Sequence, residues 1–193
     1  NDQSKEKTEL FPGTGFFIRN YEPYGDTEAA EWYRQAVFFE KSGRTSDALK
    51  LFEKFTKRRS DHVILHEGAK VSVGADALYR AAMIRERKGD WKKAFDHLLL
   101  VAKAYMDYDF EKTAQAMLSL GEKLAKQDLP KKWGFVPRFR SASEDRARLY
   151  QIADIAKGPQ FAPRALMISA EISIKDELSE EAVDALERLI NLY

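Results

Sequence analysis

Leu78-Tyr79-Arg80-Ala81-Ala82-Met83-Ile84-Arg85-Glu86-Arg87-Lys88-Gly89-Asp90-Trp91-Lys92-Lys93-Ala94-Phe95-Asp96-His97-Leu98-Leu99-Leu100-Val101 is the stretch whose reading decides the fold. It divides at Lys88-Gly89-Asp90 into two runs of similar length, each with apolar residues at the three- and four-residue spacing of a helix that buries one face. Ala82 and Ala94 fall where the two helices would cross, and Leu98 and Val101 where an outer face would be buried. Antiparallel helices approach closely only where a side chain is no larger than a methyl group, with bulky neighbours filling the groove on either side. The stretch predicts one helical hairpin of a repeat array.

The same arrangement recurs on both sides of it. A large residue early in the first helix is Trp32, Leu78 and Leu166 in turn, and a small one a turn later is Ala36, Ala82 and Ala170. In the second helix the small residue is Ala48, Ala94 and Ala182, followed by Phe52 and Phe55, Leu98 and Val101, Leu186 and Leu189. One pair is expected over Glu28 to Ser42 and Thr45 to Arg59, the next over Ala75 to Tyr105. Between them Asp61 to Gly74, with Gly68, Gly74 and the β-branched neighbours Val71 and Val73, reads as a loop. A less regular third pair is expected over Asp109 to Gln127 and Glu144 to Lys157. Its connection, at about residues 128–142, contains Pro130, Gly134 and Pro137 and is not helical. The fourth pair follows Gly158-Pro159, with Pro163 in its first turn and Ser179 as the expected N-cap of its second helix.

Residues 1–27 form a separate arm. Asn1 to Glu9 is polar, lacks periodicity and reads as disordered. Phe16, Phe17, Tyr21 and Tyr24 are expected to lie extended along the first hairpin, with Asp26 or Thr27 capping the helix that follows. Residues 28–193 make up the repeat domain.

Composition excludes several classes of function. The chain has 193 residues, 44% hydrophobic and 33% charged, ordinary for a globular protein. Its 32 basic and 31 acidic residues are interspersed and sum to a net charge of +1, so no global field draws it to nucleic acid or a membrane. No run approaches the ~20 apolar residues of a membrane-spanning helix. Cysteine is absent, which removes disulfides, thiolate metal sites and a cysteine nucleophile. Gly13-Thr14-Gly15 is too short for a phosphate loop and lacks the following helix and lysine, and no nucleophile elbow or paired-carboxylate motif occurs. No cofactor and no enzyme activity are expected.

The alanine and bulky-residue pattern, repeated three times in register, resembles the tetratricopeptide repeat. Ser60 and Met106 stand where a proline commonly follows the second helix, and Glu177 replaces the turn glycine of the last pair. Gly43 and Gly89 lie about a dozen residues further apart than the ~34-residue unit, the excess being the loop before Gly74. The resemblance implies an all-α fold, a right-handed α-α superhelix of about four helix pairs. From about residue 28 the chain is also similar to the BamD family of outer-membrane assembly lipoproteins. The residues that carry this are the long insertion in the third pair, Glu144-Asp145-Arg146-Ala147 opening its second helix, and Gly158-Pro159-Gln160-Phe161-Ala162-Pro163-Arg164-Ala165-Leu166 leading into the fourth. That similarity implies a periplasmic adaptor at the outer membrane, anchored by a lipidated cysteine upstream of residue 1. Its partners would be a barrel-assembly protein and unfolded outer-membrane proteins. Ending in mid-helix by pattern, the chain is expected to continue in its parent. The alternatives are a tetratricopeptide adaptor of another chaperone or secretion system, and a helical regulatory domain of a larger enzyme.

In tetratricopeptide arrays the first helix of each pair lines the concave surface. That places Tyr33, Val37, Glu40 and Lys41, then Tyr79, Met83, Glu86 and Arg87, then Met167, Glu171 and Ile174 on a groove suited to an extended or helical peptide. The other reading of these positions is solvated surface or packing between repeats. The third-pair insertion adds Trp133, Phe135 and Phe139 to Lys131, Lys132, Arg138 and Arg140. Such a loop can dock on a protein, stack on single-stranded nucleic acid, or fold back over the third pair's core, and the balanced charge elsewhere disfavours nucleic acid. His62 and His66 would share a metal with Asp61 nearby only on a helix, which Gly68 and the β-branched residues oppose. His97 reads as a surface residue of its helix.

Overall fold

The turn predicted at Gly89 is built three times with the same hydrogen bonds. In the computed structural model Gly43 and Gly89 both adopt φ +76°. After each, the next residue's N–H reaches back to close the helix end, Arg44 to the Phe39 carbonyl (2.8 Å) and Asp90 to the Arg85 carbonyl (2.9 Å). Leu178 makes the equivalent bond to Ser173 (2.8 Å), and Glu177, in the glycine position, takes φ +59°. A left-handed residue closed by a six-to-one hydrogen bond ends a helix without wasting its last carbonyls.

The structure describes residues 7–9, 17–19, 27–105, 107–126, 131–132, 136–137 and 142–193. The helices among them form four pairs: α1 (Thr27–Lys41) with α2 (Thr45–Phe52), α3 (Val73–Arg87) with α4 (Trp91–Ala104), α5 (Phe110–Lys126) with α6 (Ala142–Ile155), and α7 (Ala162–Lys175) with α8 (Ser179–Leu192). The chain is thus an all-α superhelix of helix pairs. Each helix packs on the next in sequence, and α1 also touches α3 while α5 touches α7, so first helices lie against first helices. The third pair is the loosest, α6 packing more extensively on α7 than on α5. Phe55 falls in a 3-10 turn, Glu53–Thr56, that continues α2. Ser179 begins α8 but makes no side-chain cap; Leu178 occupies the cap position.

The crossing alanines Ala36, Ala48, Ala82, Ala94, Ala170 and Ala182 are all buried. Two cores result. One gathers α1, α2 and the inner side of α3 around Tyr33, Phe52, Phe55, Leu78 and Ile84; the other gathers α4 to α7 around Phe95, Leu98, Met117, Leu149 and Leu166. The middle pair feeds both, since Ala81 and Val101 belong to the first core and Ala82 and Leu98 to the second.

Among the described residues there are also three two-stranded antiparallel ladders. β1 (Lys7–Glu9) pairs with β2 (Phe17–Arg19), so Lys7 to Glu9, expected without regular structure, is extended and paired. β5 (Lys131–Lys132) pairs with β6 (Val136–Pro137) inside the third-pair insertion. The stretch read as a loop between the first two pairs is a hairpin, β3 (Val63–His66) with β4 (Ala69–Ser72). Its two connecting residues, Glu67 (φ +52°) and Gly68 (φ +83°), are both left-handed, the two-residue turn that matches the twist of a hairpin. Gly74, taken as a helix breaker, sits in the first turn of α3. A Cβ there would collide with the Ser60 carbonyl oxygen and the Tyr105 hydroxyl, so close passage of the chain requires glycine.

Candidate functional site

The first helices carry the candidate groove, and the structure divides its residues into three groups. Tyr33 (0% exposed) and Val37 (2%) are core, not surface. Two adjacent aromatics compete for the interior at this point of α1, and Tyr33 goes in because Asp76, on the first turn of α3, waits for its hydroxyl. The Tyr33 hydroxyl donates to Asp76 Oδ2 at 2.6 Å, the Tyr108 hydroxyl to Oδ1 at 2.9 Å, and Arg80 Nε to Oδ2. Trp32 is left half-buried, edge-on to Phe55 with Lys54 over its face.

Burial pushes the Asp76 carboxyl up, but hydrogen bonds from Tyr33, Arg80 and Tyr108, with the Arg80 charge, outweigh it and hold the group below its ordinary value. Burial and then Asp76 push the hydroxyls of Tyr33 and Tyr108 the other way, upward. A carboxylate accepting that many donors is a structural clamp between α1, α3 and the segment after α4. Its only sequence signal is an acid amid the small residues Gly74, Ala75 and Ala77.

A second group pairs across the repeats. Glu40 of α1 meets Arg80 (2.9 Å) and Arg87 (3.6 Å) of α3; Glu86 of α3 meets Lys123 of α5; Glu122 of α5 meets Arg164 of α7 (3.1 Å). At every step an acid on the earlier helix faces a base on the later one. Lys41 pairs instead with Glu67 of the β3–β4 turn. The second helices are bridged as well, by Lys92 with Glu144 (3.2 Å), Asp154 with Arg188, and the Tyr150 hydroxyl donating to Asp184 (2.7 Å). His97, expected on the surface, is buried, with Nε2 3.1 Å from Glu53, which also holds Arg85 at 2.7 Å. Part of the interspersed charge of the sequence is therefore a set of lateral ties between repeats. Tyr79 and Met83 are half-buried against the second core, Tyr79 with its ring 5.9 Å from Tyr108 and Lys112 above it.

The third group remains open. Met167 (38% exposed) and Ile174 (63%) stand out from α7, and Glu171 lies between them, 3.6 Å from Arg164. Beside them a cleft of about 340 Å³ runs between α5 and α7, lined among others by Glu122, Ala125, Ile168, Glu171 and Ile172. Of the predicted loop residues, Trp133, Phe135, Arg138, Phe139 and Arg140 lie outside the described residues. His62 immediately precedes β3 and His66 ends it beside the turn, so neither lies on a helix. His66 packs edge-on against Tyr33 at 5.7 Å. Among the described residues no three His, Asp or Glu side chains are grouped as metal ligands, and no helix is long and apolar enough to cross a membrane.

The tetratricopeptide repeat family model matches residues 32–62 and 76–106, the first two helix pairs. The first two helix pairs are thus similar to the tetratricopeptide repeat. No curated protein matches it. Two solved structures, described as crystal structures of MamA and of MamA protein, are similar to the chain at 14% identity and a TM-score of 0.42. Each match covers 85% of this chain, and 77% and 72% of those chains respectively.

Proposed function

We propose that this array is a non-catalytic scaffold that binds protein partners through the α5–α7 end of its first-helix face. The observation that carries this is the contrast along that face. In the first two pairs the expected anchors are buried, half-buried or held in ion pairs, whereas Met167 and Ile174 expose apolar groups beside a cleft that holds charges of both signs. An apolar rim with charged walls suits an amphipathic segment of another protein.

The finer reading is an adaptor in outer-membrane β-barrel assembly, on the periplasmic face of the outer membrane. Its partners are a barrel-assembly protein and unfolded outer-membrane proteins. The long third-pair insertion, Glu144-Asp145-Arg146-Ala147 and the entry from Gly158 to Leu166 support it. The test is binding to the purified periplasmic part of the barrel-assembly protein from the same cell. Met167→Asp with Ile174→Asp is expected to weaken binding at least tenfold with helicity unchanged. Equal binding by the variant removes the α7 anchor, and no binding by either protein removes the assembly role.

A further inference from the structure

The fourth helix pair repeats the second position by position. Leu78, Ala82, Gly89 and Ala94 correspond to Leu166, Ala170, Glu177 and Ala182. At the same step Tyr79, Glu86, Phe95 and Ala102 correspond to Met167, Ile174, Val183 and Ile190. In the second pair these four positions receive α5. Lys112 of that helix lies 4.2 Å from the centre of the Tyr79 ring, Lys123 pairs with Glu86, and Phe95 and Ala102 are wholly or partly buried in the core that α5 shares. In the fourth pair all four positions are apolar and open, Met167 and Ile174 on α7, Val183 (52% exposed) and Ile190 (77%) on α8. Large apolar groups gathered where the array elsewhere receives a helix mark an interaction face.

Charge selects what covers it. From Ala162 to Tyr193 the chain has seven acidic and three basic residues, although its total is +1. Arg164 is engaged with Glu122 and Glu171 and Arg188 with Asp154, and Lys175 is likewise not free. Of the acids, Glu171, Glu181 and Asp184 are held by Arg164, Arg146 and the Tyr150 hydroxyl. Asp176, Glu177, Glu180 and Glu187 have no ion pair or side-chain hydrogen bond among the described residues. The spacing of Glu180, Val183, Glu187 and Ile190 sets acid and apolar group alternately along one side of α8, and Asp176 and Glu177 form the turn beside Ile174. Within the array each later first helix brings a base to an acid of the earlier one, Arg80 to Glu40, Lys123 to Glu86 and Arg164 to Glu122. A helix that continues the stack on α7 and α8 therefore brings lysine or arginine, whereas the same face of a second copy brings only more acid.

We infer that the outer face of α7 and α8 takes an amphipathic helix of a partner protein, with its apolar stripe on Met167, Ile174, Val183 and Ile190 and its lysines or arginines against Glu180 and Glu187. It lies there as α5 lies on α3 and α4. The inference rests on the reading of the chain as a protein-binding scaffold and gives the partner's chemistry; the site extends over α8, outside the α5–α7 cleft. Apolar burial supplies affinity and the acids supply selectivity.

The probe is a fluorescent, end-blocked peptide of about 18 residues, long enough to form a helix, with leucines at three- and four-residue spacing between lysines. One control peptide carries glutamate for lysine, and the other holds the same lysines and leucines in scrambled order. Binding is read by anisotropy on the whole chain in low salt. The striped lysine peptide is expected to bind at least tenfold more tightly than either control. Val183→Asp with Ile190→Asp is expected to weaken it at least tenfold through lost apolar burial, at an unchanged melting temperature because both side chains are exposed. Glu180→Lys with Glu187→Lys is expected to shift the preference to the glutamate peptide. Equal binding of the striped lysine peptide and either control, or undiminished binding by folded Val183→Asp with Ile190→Asp, overturns the inference. So does sedimentation of the parent chain as a dimer that this variant dissociates, which gives the face to a second copy. Loss of the peptide in Met167→Asp with Ile174→Asp but not in the α8 variant also overturns it, by moving the peptide to the α5–α7 cleft while leaving the scaffold role standing. Peptide binding as expected, by a chain that does not bind the barrel-assembly protein, upholds the inference and removes only the assembly role.

Discussion

Replacing Gly74 by alanine is expected to destabilise the protein, although the same change inside most helices does the reverse. Alanine exceeds glycine in helix propensity by about 1 kcal/mol, and Gly74 lies within α3. Its new Cβ, however, would collide with the Ser60 carbonyl oxygen and the Tyr105 hydroxyl. The first is main chain and cannot rotate away. To make room, the segment at Ser60 must retreat, giving up the bond from the Ser60 N–H to the Tyr105 hydroxyl (3.3 Å) and loosening Tyr105 from the first core. Overpacking costs about 1–3 kcal/mol and the lost hydrogen bond about 1 kcal/mol, which together exceed the propensity gain. The net loss is about 2 kcal/mol, a fall in melting temperature of about 4–8 °C for a chain of this size, measured by circular dichroism at 222 nm. Gly121→Ala is the control. There the Cβ meets the Leu149 Cδ2 at 2.7 Å, the far end of a flexible side chain, and the effect is expected to stay within about 1 kcal/mol. A melting temperature for Gly74→Ala equal to or above that of the parent refutes the close-passage account.

Asp76→Asn is expected to cost about 2–3 kcal/mol by denaturant titration, because three donors then face a neutral amide. The Asp76 carboxyl is lower in the folded chain than its unfolded value of 3.8. Its contribution is therefore present above that pH and lost as pH falls through the folded value, and the variant's acid unfolding curve should be flatter in that window. Tyr33 and Tyr108 are raised, so their contribution is complete below the tyrosine value of 10.0 and fades as pH rises beyond it; Tyr33→Phe should blunt alkaline unfolding. Glu177→Gly is expected to stabilise by about 0.5–1 kcal/mol, since a side chain at φ +59° pays for a left-handed backbone; a lower melting temperature would contradict the turn geometry. In a double-mutant cycle Glu86→Gln with Lys123→Met should show coupling of no more than about 1 kcal/mol, vanishing in high salt; strong coupling in molar salt would mean the pair is not a surface tie.

The helix pairs are legible in the sequence because close crossing demands alanine at fixed places, and a local rule repeated three times outweighs local exceptions. Glu177 shows this, since the backbone takes the glycine conformation without glycine. The β3–β4 hairpin is less legible. Its four-residue strands are short, and Glu67-Gly68 is a weaker version of the Asn-Gly signal for such a turn. The candidate groove is read only in part. Helical periodicity marks a broad stripe on α1 but does not choose between Trp32 and Tyr33. The partner that draws Tyr33 inward is Asp76, 43 positions along the chain. Charge pairing is hidden for the same reason: Glu40, Glu86 and Arg87 look like free groove charges until the next repeat stacks against them. Met167, Glu171 and Ile174 are exposed on α7.

The two cores meet only in the middle helix pair, which has consequences for how order is gained and lost. α3 gives Ala81 to one interior and Ala82 to the other; α4 divides Val101 and Leu98 in the same way. Either half can open while the other keeps its own buried side chains, but neither can open fully without stripping one face of α3 and α4. Amide protons of the middle pair should therefore exchange last. The chain behaves as two cooperative units sharing one pair of helices.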